Sequence, residues 1–221
     1  APSGASDADG DKLTYTYKWY HSDASAGKST IYGPTKGNTF TSATLGKGDT
    51  LSCSAIANDG TVNSAESARS NVVTIANTAP TVRAATLSPK TSGVGGTLTC
   101  AASGATDLDG DKMSFTYKFY IRTAAGTSSS SGPSSTATLS LGKFSKGDSV
   151  YCTAFANDGT VTSSESGSSN VVTIGNTAPT VRSATLSPAK ATVSSTMTCA
   201  PSGAADIDGD KLTYTYKWYH S

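Results

Sequence analysis

Between Lys112 and Phe119 the side chains alternate: Met113, Phe115, Tyr117 and Phe119 are apolar or aromatic, whereas Lys112, Ser114, Thr116 and Lys118 are polar. A period of two puts the first set on one face of a strand and the second on the other, so the stretch predicts a half-buried β-strand with Phe119 in the core. The pattern returns at Leu13–Trp19 and Leu212–Trp218, where Trp19 and Trp218 take the structural core place of Phe119. Shorter runs predict strands near Val82–Ser88, Thr97–Ala101, Thr136–Leu141, Ser149–Ala156 and Asn170–Ile174, with one more among residues 123–131. Earlier in the chain they fall at Thr39–Leu45, Leu51–Ala57 and Asn71–Ile75; later, at Val181–Ser187 and Thr196–Ala200. No window carries an apolar stripe at helical spacing. The fold class is therefore all-β, and six or seven short strands between Gly, Asp, Pro and Ser turns fit an antiparallel sheet-on-sheet sandwich.

Each aromatic strand is preceded by an acidic loop: Asp7-Ala8-Asp9-Gly10-Asp11, Asp107-Leu108-Asp109-Gly110-Asp111 and Asp206-Ile207-Asp208-Gly209-Asp210. Three copies about 99 residues apart make a tandem array of sandwich-sized units. We divide the chain into a partial repeat lacking its first strands (1–79), a complete repeat (80–178) and a partial repeat lacking its later strands (179–221). Residues 1–22 and 200–221 differ only at Ser6/Ala205 and Ala8/Ile207. Completion of the outer repeats is expected either from a longer chain or from self-assembly with neighbouring repeats of the same protein.

The cysteines follow the same repeat. Cys100 and Cys152 flank the aromatic strand of one unit and are the natural pair for a bridge between two sheets, with buried free thiols as the alternative. Cys53 and Cys199 are expected to find partners outside the chain or in a neighbouring subunit. A bridge would indicate an oxidising, extracellular or cell-surface setting.

Charge narrows the partners. With 17 basic and 16 acidic side chains, the chain has no long-range field for nucleic acid, and Arg83, Lys112, Lys118 and Arg182 form no basic stripe. No run of eighteen apolar residues predicts membrane insertion of this segment. For catalysis the sequence offers no phosphate loop, HExxH, CxxC or GxSxG element. His21 and His220 share a repeat position that is Ile121 in the central unit, so a catalytic base there is not expected. Tyr20, Tyr120 and Tyr219 face away from the core aromatics and are available for glycan stacking or domain contact.

The acidic loop is the one constellation with ligand chemistry. Asp107, Asp109 and Asp111 at alternate positions can converge oxygens on calcium, or their carboxylates can cap the turn's own amides. With immunoglobulin-type strand order Asp158 comes to the same end of the unit, and Asn77 of the crossing segment approaches it.

Asn77-Thr78-Ala79-Pro80-Thr81-Val82, Cys100, the 107–111 loop, Lys146-Gly147-Asp148, Cys152 and Asn157-Asp158-Gly159 together resemble the tandem immunoglobulin-like or cadherin-like extracellular repeats of bacterial and archaeal surface proteins. The resemblance covers the whole chain. It implies immunoglobulin-like sandwiches in a row and a non-catalytic structural segment of an extracellular fibre, surface layer or adhesin stalk. An adhesive module binding glycan or a surface protein is the alternative. In cadherin-like relatives calcium sits at domain junctions, which carries over to Asp107, Asp109, Asp111, Asp158 and Asn77. No other cofactor is implied.

Overall fold

The computed structural model describes residues 4–220, apart from the Ser42 side chain. The chain divides into two compact units, each taken by itself: residues 1–79 with 107–111, and residues 80–106 with 112–221. The acidic loop 107–111 thus packs with the repeat before it, although it belongs in sequence to the repeat after it.

In the first unit, β1 (Thr14–Asp23), β2 (Lys28–Thr35), β3 (Thr50–Asn58) and β4 (Val73–Thr74) form one antiparallel sheet in the order β2-β1-β3-β4. Trp19 lies opposite Cys53 in the β1–β3 register. The strand predicted at Thr39–Leu45 is absent, and Ser42–Thr44 forms a single turn of 3-10 helix. Its counterpart in the second unit finds a ladder partner, and the described residues of the first unit supply none.

The second unit contains a complete sandwich. Its strands are β5 (Thr81–Ser88), β6 (Ser92–Gly93), β7 (Thr97–Thr106), β8 (Ser114–Arg122), β9 (Ser128–Ser134), β10 (Thr138–Ser140), β11 (Ser149–Asn157) and β12 (Val172–Gly175). One sheet runs β10-β7-β5 and the other β6-β12-β11-β8-β9. Strand β6 pairs parallel with β12, which lets the chain leave β5 and join the opposite sheet. Two sheets whose consecutive hairpin strands β8 and β9 stay together, with the strand pair β5–β7 facing them, define an immunoglobulin-like β-sandwich.

Alternation decides what fills it. Val150, Cys152, Ala154 and Ala156 of β11, all 0% exposed, face Leu87, Leu98 and Cys100 of the other sheet. Phe119 is buried among them, and Met113, Phe115 and Tyr117 pack against the cluster. Burial of a Leu or Phe here stabilises by about 1.5–3 kcal/mol per side chain. Cys100 and Cys152 are bonded across the core, with Cα atoms 6.2 Å apart.

The sandwich is closed at one side by a segment that is neither strand nor helix. The amides of Cys152, Ala154 and Ala156 donate to Oγ of Ser169, Ser166 and Ser163 at 2.9, 2.9 and 3.0 Å. Each of those serines returns its own amide to the carbonyl of the same strand residue. The spacing Ser-x-x-Ser-x-x-Ser therefore advances three residues for every two of β11. On its other side Gly167 exchanges backbone bonds with Arg83 and Ala85 of β5, and the Asn170 amide clips both backbone groups of Leu87 at 3.1 Å. Ser64, Ser67 and Ser70 stitch β3 in the same way in the first unit.

Beyond the sandwich, β13 (Ser183–Ser187) and β14 (Thr198–Ser202) form an antiparallel pair within the second unit. The strand predicted at Leu212–Trp218 does not form, and Trp218, placed in the core by sequence, is 61% exposed. Its alternation is intact, but no ladder lies beside it among the described residues.

Candidate functional site at the acidic loop

Each acidic loop is built by its first aspartate. Asp107 Oδ1 accepts the amides of Asp109 (2.9 Å) and Asp111 (3.1 Å), and Gly110 takes a φ of 78°, which suits a residue without Cβ. Asp206 and Asp7 do the same in their loops. The turn leaves the second and third carboxylates pointing outward together.

Those carboxylates meet the crossing segment and a lysine. Within the first unit, Asp109 Oδ2 accepts the Thr78 amide at 2.5 Å, and Lys47 Nζ donates to Asp111 Oδ2 and, at 3.0 Å, to Asn77 Oδ1. Within the second unit the arrangement recurs. The Thr177 amide donates to Asp208 Oδ2 at 2.5 Å, and Lys146 Nζ donates to Asn176 Oδ1 at 2.9 Å and to Asp210 Oδ2 at 2.5 Å. Asp210 holds the Lys146 ammonium above its usual pKa.

The lysine is aimed by the turn that carries it. Gly147 and Asp148 exchange backbone bonds with Ile174, as Gly48 and Asp49 do with Ile75. The Asp148 carboxylate accepts the amides of Ala124 and Ser145 at 2.8 and 2.9 Å. Asp49 takes Ala24 and Gly46, and adds His21 Nε2 at 2.8 Å. The Ala24 amide first, then Gly46 and His21, bring the Asp49 pKa down to about 2. The buried His21 is thus a partner of a turn-forming carboxylate, replaced by Ile121 in the central repeat.

For the aspartates proposed as metal ligands, the structure brings Asp107, Asp109 and Asp111 together, with oxygens within 4.8 Å of one another, and likewise Asp206, Asp208 and Asp210. Asp107 Oδ2 is buried and accepts no hydrogen bond. Asn77 joins the group through Lys47. Asp158 lies in the second unit, where its Oδ1 accepts the amides of Thr160 and Val161 at 2.6 and 2.7 Å. A calcium ion takes six to eight oxygens, so these three carboxylates supply only part of a shell, and the ammonium already balances one of them.

Of the three outward tyrosines, Tyr20 and Tyr120 are engaged, whereas Tyr219 is 89% exposed. Tyr120 stacks on Tyr151 with ring centroids 4.7 Å apart and has Lys118 Nζ 4.7 Å over its ring. Tyr20 carries the Arg69 guanidinium 3.7 Å over its ring. Its hydroxyl donates to Glu66, which also takes Lys18 and Ser54 at 2.7 and 2.6 Å. Lys18, then Ser54 and Tyr20, lower the Glu66 pKa to about 2.

Sequence reasoning singled out the aspartates and missed Lys47 and Lys146 as their partners. The available signal was the repeated Lys-Gly-Asp at 47–49 and 146–148. It also missed the serine stitch, spelled out at 64–70 and 163–169.

Comparison with known proteins bears on the fold alone. No family model matches the chain, and no curated protein does. Among solved structures it is similar to the chicken interferon gamma receptor alpha chain, at 11% identity and a TM-score of 0.37 over 73% of this chain and 86% of that one. It is likewise similar to a two fibronectin type III domain segment of chicken tenascin, at 14% identity and a TM-score of 0.37 over 78% and 87%.

Proposed function

We propose that this chain is a non-catalytic structural segment of an extracellular fibre, surface layer or adhesin stalk, in which each acidic loop clasps the preceding repeat. The observation that carries the reading is the recurrence of the whole clasp: lysine, asparagine, crossing amide and two aspartates at both joints. The bridge Cys100–Cys152 fits an extracellular setting. Rings already stacked at Tyr20 and Tyr120 support a structural role over glycan binding.

The side chains of both ion pairs are between a quarter and a half exposed, so neither pair contributes much to stability. The clasp acts on orientation more than on stability. The Lys47→Ala/Lys146→Ala double variant should unfold close to the wild-type denaturant midpoint. Its small-angle scattering distance distribution should broaden, and an unchanged distribution would overturn the clasp.

A second reading, calcium on Asp107, Asp109 and Asp111, is favoured by the buried, unpartnered Asp107 Oδ2. Calorimetric titration with calcium up to about 1 mM should then give heat that Asp109→Asn reduces. The absence of heat removes the metal and leaves the lysine clasp as the joint.

A further inference from the structure

The complete central repeat has one edge strand made almost wholly of hydroxyl side chains. β9 ends its sheet, pairing with β8 and with no strand beyond it among the described residues. Every residue from 124 to 136 is exposed. Eight of the ten residues from 127 to 136 are Ser or Thr, and no charged side chain falls between Arg122 and Lys143. The strand in the same place of the first unit is built otherwise. β2 opens on Lys28 and holds the Tyr32 ring 5.3 Å from that of Phe40, whereas β9 sets Ser131 opposite Phe119.

Hydrogen bonding sorts the serines of this repeat into two kinds. The hydroxyls of Ser163, Ser166 and Ser169 are engaged at both ends: each accepts an amide of β11 and donates to the carbonyl of the next residue, at 2.8, 2.9 and 2.7 Å. A substituent on any of them would break both bonds and open the seam. The hydroxyls of Ser128, Ser129, Ser130 and Ser131 have no hydrogen-bond partner among the described residues. Alternation sends Ser128 and Ser130 to one face of the sheet and Ser129 and Ser131 to the other, so both faces of the edge present acceptors. A group added there displaces nothing that holds the fold.

The edge also gives a modifying enzyme something to grip. β9 is already extended, and backbone N–H and C=O groups on its far side can pair with an added strand. Natural edges are commonly blunted by charge, which β9 lacks. None of the asparagines in the sequence has Ser or Thr two places later, which leaves hydroxyls as the acceptors for sugar.

We infer that residues 127–136 of the folded chain carry O-linked sugars, with Ser128–Ser131 as the main acceptors. A hydroxyl-rich, proline-bearing tract has the composition of O-glycosylated stalks, and here the fold holds it open along one edge. Each Ser Oγ bonds to the anomeric carbon of a sugar carried on a nucleoside diphosphate. The bond from that carbon to the phosphate oxygen breaks, and the hydroxyl proton leaves with the nucleoside diphosphate. Sugars on both faces then do for β9 what charge does elsewhere, keeping other strands from adding to it. The inference goes beyond the structural-segment reading and shares with it only the extracellular setting.

The test takes the protein from the cells that make it and maps mass increments by electron-transfer fragmentation, which leaves glycosidic bonds intact. Hexose or N-acetylhexosamine increments should fall within residues 127–136 and be absent from Ser163, Ser166 and Ser169. The Ser128→Ala/Ser129→Ala/Ser130→Ala/Ser131→Ala variant, made in the same cells, should lose most of them while Cys100–Cys152 resists reductant as in wild type. A bare tract, phosphate in place of sugar, or sugar spread over exposed serines throughout the chain each overturn the inference on the wild-type protein alone. A folded quadruple variant that keeps the wild-type sugar overturns the assignment to Ser128–Ser131. None of these outcomes bears on the scattering test of the clasp.

Discussion

Two carboxylates of the first unit hold their protons unusually weakly, and their stabilisation is tied to acid. Asp49 and Glu66 both titrate at about 2 in the folded chain, against about 3.9 and 4.3 for unfolded Asp and Glu. Groups depressed on folding stabilise fully above the unfolded values, and that contribution is lost as pH falls through the folded ones. Urea unfolding of a Trp218→Phe background, followed by Trp19 fluorescence, should therefore show stability falling between about pH 4.5 and 2. Glu66→Gln should flatten that limb, and an identical slope in the variant would sink the assignment. At this scale the sequence was partly legible. Gly46-Lys47-Gly48-Asp49 reads as a turn, and the Asp loops read as ligand-rich, from residue type alone. That Lys47 reaches Asp111 and that His21 meets Asp49 depends on separations of 64 and 28 residues, which no local pattern encodes.

Strands were legible wherever a period of two coincided with an available partner. Thr138–Ser140 pairs with β7, whereas Thr39–Leu45 curls into a 3-10 turn and Leu212–Trp218 stays unpaired. Alternation states which face would be buried, and a ladder needs a neighbour that only the tertiary fold supplies. The serine stitch escaped because a period of three belongs to neither helix nor strand. One further element depends on a glycine. At the register shift between Tyr117 and Phe119, Gly132 of β9 has a φ of 97°, and a Cβ there would lie 2.4 Å from the Tyr117 carbonyl oxygen. Gly132→Ala should cost about 1–3 kcal/mol in chemical denaturation. Gly126→Ala, at similar φ with nothing within 4 Å of its Cβ, should cost less. Equal losses would mean that the close carbonyl is irrelevant.

For the molecule as a whole, the bridge fixes how a pull would travel through the central repeat. Tension applied at residues 80 and 178 passes from β5 and β7 through Cys100 and Cys152 into β11, bypassing the 52-residue separation between the cysteines. In single-molecule stretching, reducing the bond should lengthen the unfolding step of this repeat by roughly 180 Å, at about 3.4 Å per residue. An unchanged step would mean that the bond bears no load. The segment stitched by Ser163, Ser166 and Ser169 lies on the loaded side of that bridge. Three of its residues occupy the length of two strand residues, about 6.6 Å, yet drawn straight they reach about 10 Å. Each serine that lets go of β11 therefore releases about 3 Å of slack. The seam is gathered cloth: it yields in small steps before the sheets themselves must part.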